Sequence, residues 1–201
     1  MAKQLMKPTV GLCNTPVVMV TCGVDSSSCN IITLAWVGVV CSEPPTLAIS
    51  VRPSRHSHSL IAEGGEFVVN VPTSELVFET DYCGVVSGRR VEKAREMKLT
   101  YENASRVRVP LIAECPVNVE CVVRQMLPLG SHDLFLGEVV AVHADSSVLG
   151  ENGDLDFTKV HPITYLEPFR AMRGEYWSVG EKLGSYGYSR SGNTEQMSEN
   201  P

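Results

Sequence analysis

The sequence predicts a mainly β protein with a few helices, folded as a closed antiparallel barrel. Three observations carry that expectation. Short runs rich in Val, Ile and Thr recur at regular spacing along most of the chain. Few helical segments come between them, and strands and helices do not alternate as βαβ units require. No Gly-x-Gly-x-x-Gly follows the first strand and no Walker A pattern occurs, so neither a Rossmann unit nor a P-loop is expected.

Residues 16–22 form a β-branched run opened by Pro16 and closed by Gly23, and read as the first strand. A polar turn at 25–28 leads to an apolar run over 31–41, which Glu43-Pro44-Pro45 stops. Residues 46–52 alternate, with Leu47, Ile49 and Val51 on one face. A short helix over 57–63 has a hydroxyl at its start and Gly64-Gly65 past its end. A strand at 66–71 and helices at 73–82 and 91–97 follow. Residues 117–125 alternate cleanly, with Val117, Val119, Cys121 and Val123 inward. A long strand at 134–143 is interrupted by Gly137, an acidic turn-rich tip spans 150–156, and 163–166 offers a last strand. Residues 191–201 are Ser/Gly/Asn/Glu-rich and are expected to be a disordered tail behind one domain over 1–190.

Bulk properties narrow the function. The chain has 201 residues, of which 43% are apolar and 20% charged, values of a globular domain. Its net charge is −6 with no Lys/Arg-rich stripe, which argues against nucleic acid as a partner. The longest apolar runs are too short to span a bilayer. The opening Met-Ala-Lys-Gln lacks the apolar stretch of a secretory signal, so a cytoplasmic protein is expected. Seven cysteines, none in a Cys-x-x-Cys pair, disfavour a disulfide framework, a zinc cage or an iron–sulfur cage. No metal is expected, and most of these thiols read as small buried hydrophobes.

Four clusters carry candidate chemistry. Thr21 and Cys22 end the first strand, and Asn30, Ile31 and Thr33 begin the next, so hydroxyl, amide and backbone groups share one rim. Such a rim suits a flat heteroaromatic ring, and it also describes an ordinary hairpin turn. Ser50, Arg52, Ser57 and His58 lead into a helix start, where N–H groups, dipole and guanidinium favour a phosphate. The pair His56 and His58 also has metal-ligand character, without a third ligand at matching spacing. Ser87 and Gly88 precede a helix with Lys93 about one turn in, a second anion site or a plain cap. His132 lies in a turn before a strong strand, facing a ligand or solvent. Near the C-terminus, Tyr176-Trp177 and Tyr186-Gly187-Tyr188 read as a flap over a site, a dimer contact or surface packing.

Together these stretches resemble the flavin-reductase-like family with the FMN-binding split β-barrel fold, and within it the flavoredoxins. The likeness rests on Pro16 to Thr21 with Asn30 to Trp36, and on Pro44-Pro45 through Arg52, Ser57-His58 and Phe67 to Asn70. Cys83-Gly84 with Ser87-Gly88-Arg89 and Lys93, Gly130 to Glu138, and Tyr165 to Pro168 extend it. The resemblance implies a homodimer with FMN near the subunit interface. It implies Thr21, Cys22, Asn30, Ile31 and Thr33 at the isoalloxazine, and Ser50, Arg52, Ser57 and His58 along ribityl and phosphate. Ser87, Gly88, Lys93 and His132 are further expected contacts, and no side chain is expected to act as general acid or base. The activity implied is transfer of electrons from NAD(P)H through FMN to flavin or another acceptor. Two alternatives stay open: a carrier reduced and oxidised by protein partners without nicotinamide, and a split barrel holding another ligand such as heme.

Overall fold

The computed structural model of the chain describes residues 2–10, 12–23, 28–167 and 174–190. Among these residues twelve strands and four helices follow one another. They are β1 (Asn14–Pro16), β2 (Val18–Cys22), β3 (Asn30–Leu34), β4 (Val37–Ser42), β5 (Pro45–Val51), α1 (His56–Gly64), β6 (Glu66–Val71), α2 (Val77–Val85) and α3 (Lys93–Met97). Then come β7 (Tyr101–Glu102), β8 (Leu111–Ile112), β9 (Val117–Pro128), β10 (Asp133–Ala144), α4 (Phe157–Val160), β11 (Ile163–Leu166) and β12 (Glu175–Ser178).

The principal sheet has seven antiparallel strands in the order β3-β2-β6-β9-β10-β5-β4. Its two edges, β3 and β4, are consecutive in sequence, with only Ala35 and Trp36 between them. Two residues span only about 10 Å, so the sheet must curl until its edges meet. This is a split barrel, closed at that corner by the chain itself. The sequence reading took 31–41 as one run because no Gly or Pro marks the corner. Register shifts in β10 at Leu136/Gly137 and Val139/Ala141 add the local twist that curling needs. Gly137 has a second reason to be glycine: a Cβ there would lie 2.4 Å from the Phe67 ring.

Alternation fills the barrel as expected. Val18, Val20, Ile32, Ile49, Val51, Phe67, Cys121 and Phe135 form its interior, with Leu47, Val119 and Val123 packed against them. The outer face is also covered. α2, α3 and their flanks close over Met19 and Ile31, with Cys83 of α2 packed in the same layer. The 105–112 crossing lays Val107, Val109 and Leu111 on Val68. Beneath it Glu120, fully buried, accepts the backbone N–H groups of Ser105, Arg106 and Val107 at 2.7, 2.7 and 2.9 Å. Asn70 accepts from Ile112 N–H at 3.0 Å and from Asn118 at 2.8 Å. Period-two patterning alone would have left Asn118 and Glu120 in water.

A smaller sheet, β1-β11-β12, carries the C-terminal strands back beside the N-terminal segment. Among the described residues no helix is long and apolar enough to cross a membrane. The expected tail over 191–201, and part of the turn at 25–28, lie outside the described residues.

Candidate functional site

Strand β3 pairs only with β2, so no described strand takes up its outer edge, and alternate N–H and C=O groups there have no ladder partner. Two adjoining cavities run along this edge, of about 260 and 280 Å³, and they share Ile32, Arg52, Arg55 and Gly84.

The inner cavity is basic. Asn30 donates to Ser57 Oγ at 2.7 Å, tying the edge strand to the first turn of α1. The loop before α3 closes directly on Asn30: a Cβ on Gly88 would fall 1.9 Å from its Oδ1, so the close approach requires glycine. Lys93 is buried and donates to Ile31 O at 2.6 Å and Cys83 O at 2.7 Å, fastening β3 to the last turn of α2. Burial holds its ammonium below the ordinary lysine value, partly opposed by the nearby Cys83 and Cys22. Arg52 and Arg55 line the space and form no ion pair among the described residues. His56 is kept below its ordinary value by burial and by Arg89 and Lys93. α1 begins without a side-chain cap and without an acid in its first turn. Among the described residues no carboxylate lines this cavity, so their field favours an anion.

The outer cavity is aromatic. Trp36 and His132 stack with centroids 4.4 Å apart, and Tyr165 and Tyr176 meet at 5.5 Å. Thr33, whose hydroxyl donates to Thr80 O at 2.5 Å, and Ser50 complete the wall nearer the barrel. Burial, with Arg52 and Arg55 close by, lowers the His132 imidazole below its ordinary value.

Nine of the thirteen expected site residues line these two cavities: Asn30, Thr33, Ser50, Arg52, Ser57, Ser87, Gly88, Lys93 and His132. Four are placed elsewhere. Thr21 faces outward from the barrel and donates to Pro110 O at 2.7 Å. Its neighbour Cys22 is buried in the barrel interior, and burial pushes its thiol up to about 12. Ile31 packs in the layer near Met19 and Cys83, reaching the site only through the backbone oxygen that Lys93 holds. His58 sits 2.8 Å from Asp133, edge-on to Phe135. The pleat of β2 turns Thr21 to the outer face and Cys22 to the interior, the layer under α2 and α3 takes Ile31, and His58 lies on α1, turned to β10. Cys83 is buried as expected, its thiol raised to about 11, and none of the seven cysteines is in a disulfide.

Arg55 belongs with Arg52 to the basic cluster that the sequence marks as a phosphate site, and it lines both cavities. The sequence reading did not place Trp36, Tyr165 or Glu167 at the site. Trp36 lay hidden inside an apolar run, and the β11 residues arrive from more than a hundred positions away. Tyr176 lines the outer cavity, whereas Trp177 beside it is 53% exposed.

A curled antiparallel half-barrel with a basic-to-aromatic cleft along one edge defines a split-barrel protein. Residues 10–167 match the family described as flavin reductase like domain, and the chain belongs to that family. It is similar to the flavoredoxin of Desulfovibrio vulgaris (Miyazaki F), 31% identical with a TM-score of 0.84, covering 94% of this chain and 100% of that one. It is likewise similar to the flavoredoxin of Methanosarcina acetivorans, 31% identical with a TM-score of 0.85 over 94% and 97% of the two chains. An uncharacterized protein of Archaeoglobus fulgidus is 41% identical over 118 residues, 58% of this chain and 67% of the other. Family and fold support a flavin-binding redox role.

Proposed function

We propose that this chain binds FMN non-covalently and works as a flavin-reductase-type oxidoreductase, taking electrons from NAD(P)H and passing them to flavin or another acceptor. The observation that carries this reading is the continuity of the cleft: Arg52 and Arg55, in no ion pair among the described residues, stand at a helix start where the space opens along the edge of β3 that no described strand takes up. Arg52, Arg55 and the first turn of α1 would hold the phosphate, with Lys93, Ser87 and Gly88 beside it. The edge of β3, Asn30, Thr33 and Ser50 would hold the ribityl chain and ring. FMN supplies the electron chemistry when bound, and the protein orients the ring and shapes its surroundings. Seven thiols outside any disulfide suit a reducing compartment, the cytoplasm.

Heat or acid should release a yellow compound with the mass of FMN from the purified protein. Arg52→Ala should weaken FMN by about 1.5–3 kcal/mol, the worth of a charge-assisted hydrogen bond, and riboflavin, lacking the phosphate, by much less. Equal losses for both ligands would remove Arg52 from the phosphate site. Anaerobic mixing with NADH or NADPH should bleach the flavin band with saturation in nucleotide.

One observation favours the carrier alternative. Strand β12 connects the cavity wall at Tyr176 to exposed Trp177, which lines a shallow groove with the exposed Val77 of α2, and such an apolar face suits protein docking. Reduction by a small redox protein, with no bleaching by either nucleotide, would establish it. The same face suits a homodimer, for which sedimentation at micromolar concentration should give twice the chain mass of 21.9 kDa.

A further inference from the structure

Two segments wall the inner cavity and meet over it. One is the loop over 52–55 with the first turn of α1, the other the loop over 86–92 between α2 and α3. The second loop is braced within and fastened on both sides. Ser87 holds its turn, accepting Arg90 N–H on its carbonyl at 3.0 Å and Arg89 N–H on its hydroxyl at 3.4 Å. Gly88 rests against the Asn30 side chain, which is itself bound to Ser57. From there Arg89 reaches across to the facing loop, where its Nη1 donates to Ser54 O at 3.2 Å. Ser54, Ser87 and Gly88 line the inner cavity and not the outer one, so this crossing lies at the end away from the aromatic rings.

We propose that the Arg89–Ser54 bridge restricts the inner cavity to a phosphate monoester, so that Arg89 selects FMN against a flavin esterified further on its phosphate, such as FAD. A monoester ends in free oxygens, which suit the guanidinium groups and N–H groups of this end and fit beneath the bridge. A phosphate with a second ester must send that substituent out between Ser54 and Gly88, where the Arg89 side chain lies. Admitting it breaks the Arg89 hydrogen bond and moves a loop that Asn30 and Ser87 hold in place. The choice of FMN over FAD rests on the flavin reading; the choice of monoester over diester rests on the cavity alone.

Ribose 5-phosphate and ADP-ribose separate the bridge from the flavin, since the second is the first with an adenylate on its phosphate. Each is titrated into flavin-free protein against inorganic phosphate, whose displacement is followed by phosphorus NMR, so only binding at the anion site is read. FMN and FAD are titrated in parallel by flavin fluorescence. Ribose 5-phosphate should bind about tenfold more tightly than ADP-ribose, and FMN than FAD, because the second ester has to displace a charge-assisted hydrogen bond. Arg89 is exposed, so Arg89→Ala leaves the core untouched, and it should narrow both ratios about fivefold. The members of each pair carry nearly equal net charge, so loss of the guanidinium charge weakens both alike and leaves the ratio to report the bridge. Uptake of neither flavin would sink the flavin reading, while the sugar phosphates would still decide the bridge. ADP-ribose binding as tightly as ribose 5-phosphate in the unaltered chain would overturn the proposal. So would an unchanged ratio in Arg89→Ala, or an inner cavity from which neither sugar phosphate displaces inorganic phosphate.

Discussion

Around β2, β6 and the first half of β9 both faces of the seven-stranded sheet are buried, by different means. On the inner face Phe67, Ile49, Val20 and Phe135 meet as apolar surfaces. On the outer face, directly across the same ladders, Glu120 opposes Val68 and Asn118 opposes Asn70. There the covering chain is fixed by hydrogen bonds. Asn118 donates to Ile112 O at 3.1 Å, Thr21 to Pro110 O at 2.7 Å, and Glu66 accepts Arg108 N–H at 2.9 Å. His143 Nε2 stands 2.5 Å from the Glu120 carboxylate. The inner face tolerates shape changes by repacking, whereas the outer face depends on the position of every partner. A non-repetitive crossing such as 105–112 cannot pair its own backbone groups, so buried side chains must do so.

The sharpest way to break this contrast is Glu120→Ala. It leaves three backbone N–H groups and His143 without their acceptor, and should cost about 3–5 kcal/mol in urea unfolding. The same carboxylate gives a pH test. Burial alone would raise its pKa, but the backbone donors and His143 outweigh burial and set it below the ordinary carboxylate value. A depressed folded pKa means stability that is present above the unfolded carboxylate pKa and is lost as pH falls through the folded value. The wild-type chain should therefore lose stability below the ordinary carboxylate range, and Glu120→Gln should flatten that slope.

A smaller effect is expected for Asn70→Leu, which keeps volume but deprives Ile112 N–H and Asn118 of an acceptor: about 2–3 kcal/mol by equilibrium unfolding. The smallest belongs to the inner face. Ile49→Val should cost only about 0.5–1.5 kcal/mol, since one methyl group is lost from a surface that can close up. If Ile49→Val proved as costly as Asn70→Leu, the distinction between the faces would fall.

The cleft shows a similar division. Its basic end was readable because Arg52, Ser57, Ser87, Gly88 and Lys93 lie in two short stretches, each beside a helix start. Its aromatic end was not, because Trp36 comes from the corner between β3 and β4 while Tyr165, Glu167 and Tyr176 come from the separate β1-β11-β12 sheet. Thr21 shows the cost of reading a rim without its pleat. Its hydroxyl lies beside the site in sequence, yet points to the opposite side of the sheet.

Local pattern settled the strands at 66–71 and 163–166, the helix starting near residue 57 and the apolar interior of the barrel, because period-two alternation and turn chemistry act over a few residues. It also marked the basic end of the cleft, where charge and helix start are contiguous. The corner that joins the two sheet edges, the burial of Glu120 and Asn118, and the meeting of three distant aromatics around Glu167 arose only when the sheet curled. Each depends on contacts between segments tens to more than a hundred residues apart, and no local propensity encodes them.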